Sequence, residues 1–472
     1  MKNVTRRIFL KDSLATVAAM ATTSALANYS VSGGNMYQGN ASASVAQTAG
    51  NYDVVICGGG PSGFIAAIAS ARLGAKVALI ERYGFLGGMA TMGYVAPISE
   101  FAFNGDLVIG GIPWDFVKRL EKMGGAFREW PKGNVDFDVE LYKLCAQRMV
   151  LEAGVQLFTH SYFTGCDMEG DTIRKVFIEN KNGMEALEAK VFIDCTGDGD
   201  LAHVARVPML ESEGNELQPS SFCFILSGVD TESKMLKQYM HHNGLNGHSQ
   251  CAPVRQKLLQ LKAEGVDLPD FGGPWFNNVL HPGSVAVNIT RKATDSCDNR
   301  NFSAAECQLR EDIFTFVELF KKHFLEFKDC YVSSTAPQTG IRESRRIKGL
   351  HTITAEEYMN AYRYDDSISR GIHPIDIHAS KGNGQVRIDL KQPAFVPYRS
   401  MIAPHFPNLL VAGRCISADR QSLASLRVQA SCMGIGQAAG AAAAMAMKSS
   451  CAVQDINMSR LIKTLKRWGA IL

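Results

Sequence analysis

A glycine-rich turn, Gly58-Gly59-Gly60-Pro61-Ser62-Gly63, constrains the fold of this chain more than any other feature of its sequence. The turn follows a buried-strand pattern at 53–57 and precedes a helical stretch rich in Ala and Ile at 64–73. A second apolar strand comes next and ends in Glu81. Strand, glycine turn, helix, strand and terminal acid in this order are the context that a dinucleotide-binding βαβ unit requires.

Each position of this motif has a physical role. Gly58 allows a tight turn, Gly60 lets the backbone approach a pyrophosphate, and Gly63 lets helix and strand pack closely. The helix N-terminus directs amide donors and the positive end of its dipole at the phosphates. The carboxylate of Glu81 can accept both hydroxyls of the adenosine ribose. We therefore expect the following residues to bind the cofactor: Gly58, Gly60, Pro61, Ser62, Gly63 and Glu81.

The N-terminus resembles a twin-arginine export signal. Arg6 and Arg7 are followed by Phe-Leu-Lys, by a weakly apolar run at 14–27 and by the small-residue site Ala25-Leu26-Ala27. The run is too short and too rich in Thr and Ala to span a bilayer. We expect residues 1–27 to be a signal peptide removed on export to the periplasm or beyond, leaving no stable membrane span. A disordered basic tail is the alternative. The Ser-, Gly- and Asn-rich residues 28–50 are expected to form a linker.

Charge and cysteine spacing exclude several classes of protein. Without residues 1–27 the chain holds 45 basic and 45 acidic residues, so it offers no general field for nucleic acid. The 12 cysteines include no Cys-x-x-Cys pair, which argues against zinc and iron–sulfur sites, and we expect no metal. Twin-arginine substrates fold and load cofactor in the reducing cytoplasm, so the cysteines do not require disulfides.

A second glycine-rich loop, at 82–91, follows the strand that ends in Glu81. Here the chain resembles the FAD-dependent oxidoreductases related to glutathione reductase and to the flavoprotein subunits of succinate dehydrogenase, which carry a Gly-Gly segment against pyrophosphate and flavin. The resemblance implies that Arg82, Gly87, Gly88 and Met89 contact FAD. The loop has no histidine, so the FAD is expected to be bound noncovalently. A flexible surface loop is the alternative interpretation.

Two further segments follow the same families in order. The first is the apolar strand that ends in Asp194-Cys195-Thr196-Gly197-Asp198-Gly199-Asp200, and the second is the strand 408–414 with the Ala- and Gly-rich helix 425–447. Many relatives have an acid after the glycine of the second strand, where this chain has Arg414. The resemblance adds these cofactor contacts: Gly197, Asp198, Gly413, Arg414, Arg427 and Gln429. Gly434-Ile435-Gly436 lies within the helix and is expected to serve close packing.

The resemblance is closest at 340–349 and 373–378, which are similar to a bacterial branch of FAD-dependent oxidoreductases. Some members of this branch are labelled xanthan lyase, and it is related to the flavin subunit of heterodisulfide reductase, whose cysteine clusters are absent here. The implied fold is α/β, a Rossmann-like FAD-binding domain of the glutathione reductase type with an inserted α+β cap. We expect the FAD-binding domain to comprise 51–222 and 392–472, and the cap or substrate domain to comprise 223–391.

A cap over the flavin would exclude water and carry the groups that transfer protons. The candidate residues are His281, Arg342, Arg345, His373, His378, Tyr398 and Arg399, and from them we select Arg342, His281, Arg345 and His373 for catalysis. An arginine can clamp a substrate carboxylate, and a histidine can take a proton while hydride passes to or from flavin N5. Alternatively, the arginines form internal ion pairs and the histidines have structural roles.

The sequence thus predicts an exported flavoenzyme that oxidises or reduces a small organic molecule, such as a hydroxy or unsaturated acid or a sugar. No second nicotinamide domain is visible, so the expected electron partner is a quinone, a redox protein or oxygen. Two alternatives remain. A non-catalytic flavin electron carrier would share the glycine motifs, and a polysaccharide lyase is suggested only by the label of some relatives.

Overall fold

The computed structural model describes residues 47–211, 217–240, 250–382 and 384–472. The strands are β1 (Gln47–Cys57), β2 (Val77–Ile80), β3 (Ala102–Phe103), β4 (Asp106–Leu107), β5 (Ala126–Glu129), β6 (Asn134–Phe137), β7 (Gln156–Phe158), β8 (Tyr162–Glu169), β9 (Thr172–Asn180), β10 (Gly183–Asp194), β11 (Phe224–Ser227), β12 (Phe271–Asn278), β13 (Ser284–Thr290), β14 (Tyr331–Thr335), β15 (Ser367–Gly371), β16 (Ile375–His378), β17 (Gln385–Ile388), β18 (Ala394–Pro397) and β19 (Leu409–Val411). The α-helices are α1 (Pro61–Arg72), α2 (Ile112–Lys122), α3 (Val139–Glu152), α4 (Asp200–Val204), α5 (Lys234–Tyr239), α6 (Ala252–Ala263), α7 (Asn299–His323), α8 (Ala355–Met359), α9 (Arg420–Leu426), α10 (Gln429–Ser449) and α11 (Met458–Arg467).

The largest sheet has the strand order β7-β2-β1-β10-β9-β8. Its centre is parallel, because β1 pairs with both β2 and β10, and the last residues of β10 pair with β19. The first half of β10 instead pairs antiparallel with β9, which completes a meander with β8. The predicted α/β fold with a Rossmann-like parallel sheet is confirmed.

The folded region begins earlier than the sequence indicated. We expected residues 28–50 to form a linker, but β1 already starts at Gln47, where it pairs with Glu185 of β10. The register shift between Thr48 and Gly50 accommodates the polar, glycine-containing start of the strand, which carries no apolar signal of its own. The predicted signal peptide and residues 28–46 of the predicted linker lie outside the described residues.

Helices α1 and α10 pack against each other through glycines. A Cβ on Gly436 would lie 2.1 Å from the carbonyl oxygen of Ser62, and a Cβ on Gly440 would lie 2.1 Å from that of Ala66. The close-packing role predicted for the glycine pair in this helix is therefore confirmed at Gly436. Within the part of the chain that the structure describes, α10 is the one helix with the length and hydropathy of a membrane span, and 94% of its most apolar window is buried in the protein.

A second sheet, antiparallel and ordered β12-β13-β11-β14, has its own hydrophobic cluster beneath α7. The cluster is rich in phenylalanine and includes Phe224, Phe271 and Phe316. It extends to Ala336, whereas Ile353 and Leu390 belong to one cluster of the first sheet and Ile347 belongs to another. The range 223–391 that we assigned to the cap thus contributes to all three clusters.

Candidate functional site

The main cavity lies at the carboxyl ends of the parallel strands β1, β2, β10 and β19, which is where open α/β sheets place their ligands. Of the residues predicted to bind the cofactor, the following line it: Gly58, Gly60, Pro61, Ser62, Glu81, Arg82, Gly88, Met89, Gly197, Asp198, Gly413, Arg414, Arg427 and Gln429. Gly63 and Gly87 are not part of the lining and lie behind it. The sequence motifs therefore converge on one cavity although they are spread over much of the chain.

The two glycine loops pack directly on each other at the N-terminus of α1. A Cβ on Gly88 would lie 2.8 Å from the Cα of Gly60, and the amide of Gly87 donates to the carbonyl of Gly59 at 2.9 Å. A Cβ on Gly63 would come within 1.8 Å of the carbonyl oxygen of Gly58, so Gly63 serves packing. These close approaches leave bare backbone facing the cavity.

The first turn of α1 carries no side-chain cap and lines the cavity with Pro61 and Ser62, so its amide groups are available to a ligand there. A Cβ built on Gly60 would meet a single neighbour, the Cα of Gly88 at 3.8 Å. The space beside Gly60 is thus a cradle that a side chain would fill. Uncapped amides beside such a cradle fit a pyrophosphate.

Glu81 is fixed at the end of β2 by backbone amides. Its two carboxylate oxygens accept from the amides of Gly59 at 2.8 Å and Tyr83 at 2.9 Å. The side chain is almost completely buried, and this burial raises the pKa of the carboxyl. The carboxylate is therefore held rigidly beside the glycine turn, in the position where an adenosine ribose would lie.

Arg414 forms an ion pair with Asp198 in the wall of the cavity. Its Nη2 lies 2.9 Å from Oδ1 of Asp198, and its Nη1 donates to Ser344 at 2.6 Å. The guanidinium lowers the pKa of the Asp198 carboxyl against the opposing effect of burial, which is the larger single influence. Arg414 is thus paired with an acid from the loop after β10.

The N-terminus of α10 forms another uncapped helix end at the cavity. Its first residue, Gln429, donates its side-chain amide to the carbonyl of Val95 at 2.7 Å. The Oε1 atom of Gln429 is buried and has no hydrogen-bond partner within the described residues. A buried acceptor without a partner costs free energy, so a donor on a bound molecule would stabilise it.

These features together fit FAD. The α1 cradle would hold the pyrophosphate, Glu81 the adenosine ribose, and the end of α10 with Gln429 the polar edge of the flavin ring. The contacts between the two glycine loops, and of Glu81 with the glycine turn, support this assignment.

Two of the four residues predicted to be catalytic line the cavity, and two do not. Arg342 and His373 are in the lining. His281 is exposed outside it, with Nε2 2.6 Å from the carboxylate of Asp138, the N-cap residue of α3. The structure therefore places His281 outside the cavity that was expected to hold it, with its ring bound by Asp138 of another element.

Arg345, which we also expected at the site, lies outside the lining of the cavity. It pairs with Asp200 and donates to the backbone carbonyl of Asp198, and it lines a separate surface depression beside Cys297. The alternative of an internal ion pair describes this residue. The carboxylate of Asp200, the first residue of α4, is the partner of its charge.

His378, a candidate that we did not select, forms a histidine–carboxylate pair in the structure. His378 Nε2 lies 3.0 Å from Oδ2 of Asp376 at the end of hairpin β16–β17, and both residues line the cavity. Burial, together with the positive charge of Arg342, lowers the pKa of His378 to about 3. Both residues stand in the segment 373–378 that carried the resemblance, so the motif itself was the available signal.

His373 is a neutral histidine of a different kind. Its Nδ1 lies 2.8 Å from the carbonyl oxygen of Pro374, and burial lowers its pKa to about 4. The ring is held by its own backbone and has no carboxylate partner among the described residues. His373 can therefore shape the cavity wall or accept a hydrogen bond, but it lacks the orienting acid that His378 has.

The fold and site define a flavoprotein that binds a dinucleotide at the strand ends of a parallel sheet. A family model described as FAD dependent oxidoreductase matches residues 53–465, and the chain belongs to this family. The protein is an FAD-dependent oxidoreductase. Within the described residues no cluster of metal-ligating side chains is found.

Comparison with individual proteins gives local and distant similarity. Dihydrolipoyl dehydrogenase of Trypanosoma brucei brucei is 60% identical over 37 residues, which cover 8% of this chain and 8% of that enzyme. A geranylgeranyl bacteriochlorophyll reductase-like protein from Thermoplasma acidophilum is 14% identical, with a TM-score of 0.44, over 88% of this chain and 83% of that protein. The anhydrotetracycline hydroxylase of Streptomyces rimosus is 12% identical, with a TM-score of 0.42, over 88% of this chain and 65% of that enzyme.

Proposed function

We propose that this protein oxidises or reduces a small organic molecule by hydride transfer to or from FAD that is bound without a covalent bond. The observation that carries the proposal is the composition of the cavity. Its walls change from glycine backbone at α1 to charged and polar side chains at Arg342, Asp376 and His378. FAD supplies the two-electron chemistry, and the chain supplies binding, orientation and proton transfer.

The substrate would lie where the second sheet meets hairpin β16–β17. Trp275 and Asn277 of β12, Asn288 of β13 and His378 of β16 all line the cavity there. The rings of Trp275 and His378 meet edge to face at 5.9 Å. An aromatic surface with two amides suits a small polar organic molecule better than an extended polymer.

His378 is the group that best fits proton transfer. Its neutral imidazole can donate Nε2–H to Asp376, which leaves Nδ1 as the proton acceptor. Asp376 is in turn fixed by Gln385, whose Nε2 lies 2.5 Å from its Oδ1. The carboxylate is thus a positioning group that sets the tautomer, and His378 takes or returns the substrate proton.

The cysteines in the cavity support noncovalent binding of FAD. Burial raises the pKa of Cys223 to about 11 and that of Cys432 to about 12. Both thiols are protonated at neutral pH and are weak nucleophiles. The loop 87–91 contains neither histidine nor cysteine.

Export by the twin-arginine machinery is part of the same proposal and rests on the N-terminal sequence. A protein loaded with FAD in the cytoplasm would then act outside it. Its electrons would pass to or from a quinone, a redox protein or oxygen.

Anaerobic mixing of the purified FAD-loaded protein with a panel of organic acids, amines and sugars tests the proposed function. We expect one class of compound to bleach the flavin absorbance, or to reoxidise flavin that has first been reduced. The flavin of a non-catalytic electron carrier would not react with any of the organic compounds, but it would still exchange electrons with a one-electron mediator dye. That result would contradict the proposal.

A further inference from the structure

The substrate end of the cavity holds guanidinium groups that have no carboxylate partner among the described residues. Arg342 lines the cavity and donates from Nη1 to the carbonyl of Pro219 at 2.6 Å and to the hydroxyl of Ser221 at 2.7 Å. Both acceptors are neutral. Arg342 therefore forms no ion pair within the described residues.

Arg427, which also lines the cavity, has the same character. Its Nη2 donates to the backbone carbonyl of Asp376 at 2.9 Å, and its Nε donates to that of Ala424 at 3.3 Å. It follows α9 and lines the cavity beside Gln429. In the part of the chain that the structure describes, no carboxylate contacts the guanidinium of Arg427.

A third arginine lies behind the first. Arg291 is buried, stacks on Trp275 with its guanidinium carbon 5.3 Å from the ring centroid, and donates to the same Ser221 hydroxyl as Arg342. Its Nε and Nη2 atoms are buried without partners among the described residues. Two guanidiniums that share one hydroxyl repel each other, and this repulsion is weakly screened inside the protein.

Two acids lie near these three arginines. Asp376 accepts from His378 and Gln385, which are neutral, so its one negative charge offsets part of the positive charge. Glu343 accepts from the backbone and side-chain amides of Gln218 at 2.7 and 2.8 Å, and its carboxylate lies 3.3 Å from Arg420. Positive charge is therefore in excess around Arg342.

The titration behaviour of the arginines agrees with this excess. Burial lowers the pKa of Arg342 well below its usual value, and the charges of Arg291 and Arg427 lower it further. Burial likewise lowers the pKa of Arg291 to about 10. The cavity therefore lacks a negative charge that would compensate these arginines, because buried charge is stable only when it is compensated.

We propose that the substrate is an organic acid whose carboxylate is bound by Arg342 and Arg427. The planar guanidinium fork matches a carboxylate with two parallel hydrogen bonds. Trp275 and Ile341, which also line the cavity, provide an apolar surface for the carbon skeleton. This inference rests on the proposed function, and among the substrate classes left open by the sequence it selects acids over sugars.

Binding can be measured without turnover on the FAD-loaded protein. Acetate, lactate and succinate are titrated against acetamide, lactamide and succinamide, with sulfate and phosphate as inorganic anions. Calorimetry and the change in the visible flavin spectrum report the dissociation constants. At least one acid should bind about 10-fold or more tightly than its amide, because a charged hydrogen bond is lost in the amide.

Variants assign the site. Arg342→Met should weaken binding of the acid by about 10- to 100-fold, and Arg342→Lys should weaken it less, since it keeps the charge but loses the fork. Arg148→Met, which changes an exposed arginine on α3, is the matched control and should bind normally. FAD content is measured for each variant.

Equal affinity for acids and amides would overturn the inference, as would sulfate binding as tightly as every acid. Unchanged acid binding in Arg342→Met would also overturn it. Loss of FAD from that variant would assign the arginine to the cofactor and overturn it as well. If the wild-type protein held FAD and bound acids but no compound exchanged electrons with it, the proposed function would fail while the acid site stood.

Discussion

Arg414 and Asp198 form a nearly buried ion pair, 2.9 Å between Nη2 and Oδ1, that joins the loop after β19 to the loop after β10. Both loops border the cofactor cavity. The geometry of the cavity wall therefore depends on a pairing between residues that lie 216 positions apart in the chain.

Asp198→Asn should lower the free energy of unfolding by roughly 3 to 5 kcal/mol at neutral pH, because it leaves a buried guanidinium without its partner. The folded pKa of Asp198 is depressed, so its stabilising contribution is complete above the unfolded value of about 4 and is lost as the pH falls through the folded pKa. Urea unfolding at pH 7 and at about pH 3 measures this difference. The difference between variant and wild type should shrink at the lower pH.

The exposed pair between Lys175 and Asp167 provides the control for this measurement. Asp167→Asn should change stability by less than about 1 kcal/mol at either pH. Equal effects of the two substitutions would contradict a special role for the Asp198–Arg414 pair.

Gly60→Val should give a folded protein without FAD. The backbone of Gly60 lies in the extended region, which valine readily adopts, so the new side chain fills the cradle without straining the chain. Absorbance of the purified variant measures the FAD content, and circular dichroism checks the fold. Gly165→Val on β8, where a Cβ would meet one ring carbon at 3.7 Å, is the control and should keep its FAD. Full FAD occupancy in Gly60→Val would show that the phosphates lie elsewhere.

His378→Gln should reduce the rate of flavin reduction or reoxidation by about 100-fold or more while FAD content stays normal. In the wild type the lowered pKa keeps the imidazole neutral, so activity should persist on the acid side well below pH 6.5, where an ordinary histidine would be half protonated. Rapid-mixing kinetics across the pH range measure both effects. His203→Gln, an exposed change on α4, is the matched control.

Asp376 is expected to act only through His378. Asp376→Asn should lower kcat with little change in KM, and Asp376→Glu should recover part of the loss, since the hydrogen bond to Nε2 sets the tautomer. A rise in KM with normal kcat would instead assign Asp376 to substrate binding.

Replacing Arg6 and Arg7 with lysine should leave an uncleaved, FAD-containing precursor in the cytoplasm. The reason is that a weakly apolar signal on a cofactor protein depends on its arginine pair for export. Cell fractionation with immunoblotting, together with the FAD content of the retained protein, measures the outcome. Undiminished periplasmic protein would contradict this route.

The sequence predicted the fold and the cofactor end of the site because their signals are local. The turn at Gly60 and the acid at Glu81 lie within one βαβ unit, whose spacing itself requires their proximity. The substrate end could not be predicted in the same way. His281 and His378 both lie at strand or turn positions, so the sequence does not distinguish them. In the fold, His281 binds Asp138 outside the cavity. His378 lies on hairpin β16–β17, where it lines the cavity and binds Asp376. The early start of β1 was also hidden, because Gln47 gains its partner only from the distant β10.

Single-turnover stoichiometry tests the central claim most directly. The FAD-loaded protein is mixed without oxygen with the organic acid that bleaches it, or in its reduced form with the acid that reoxidises it, and the converted acid is quantified against the flavin. The account predicts one molecule of acid converted per FAD, with a product that differs from the starting acid by two electrons. Bleaching or reoxidation without an organic product, or a cleavage product formed while the flavin spectrum stays unchanged, would contradict it.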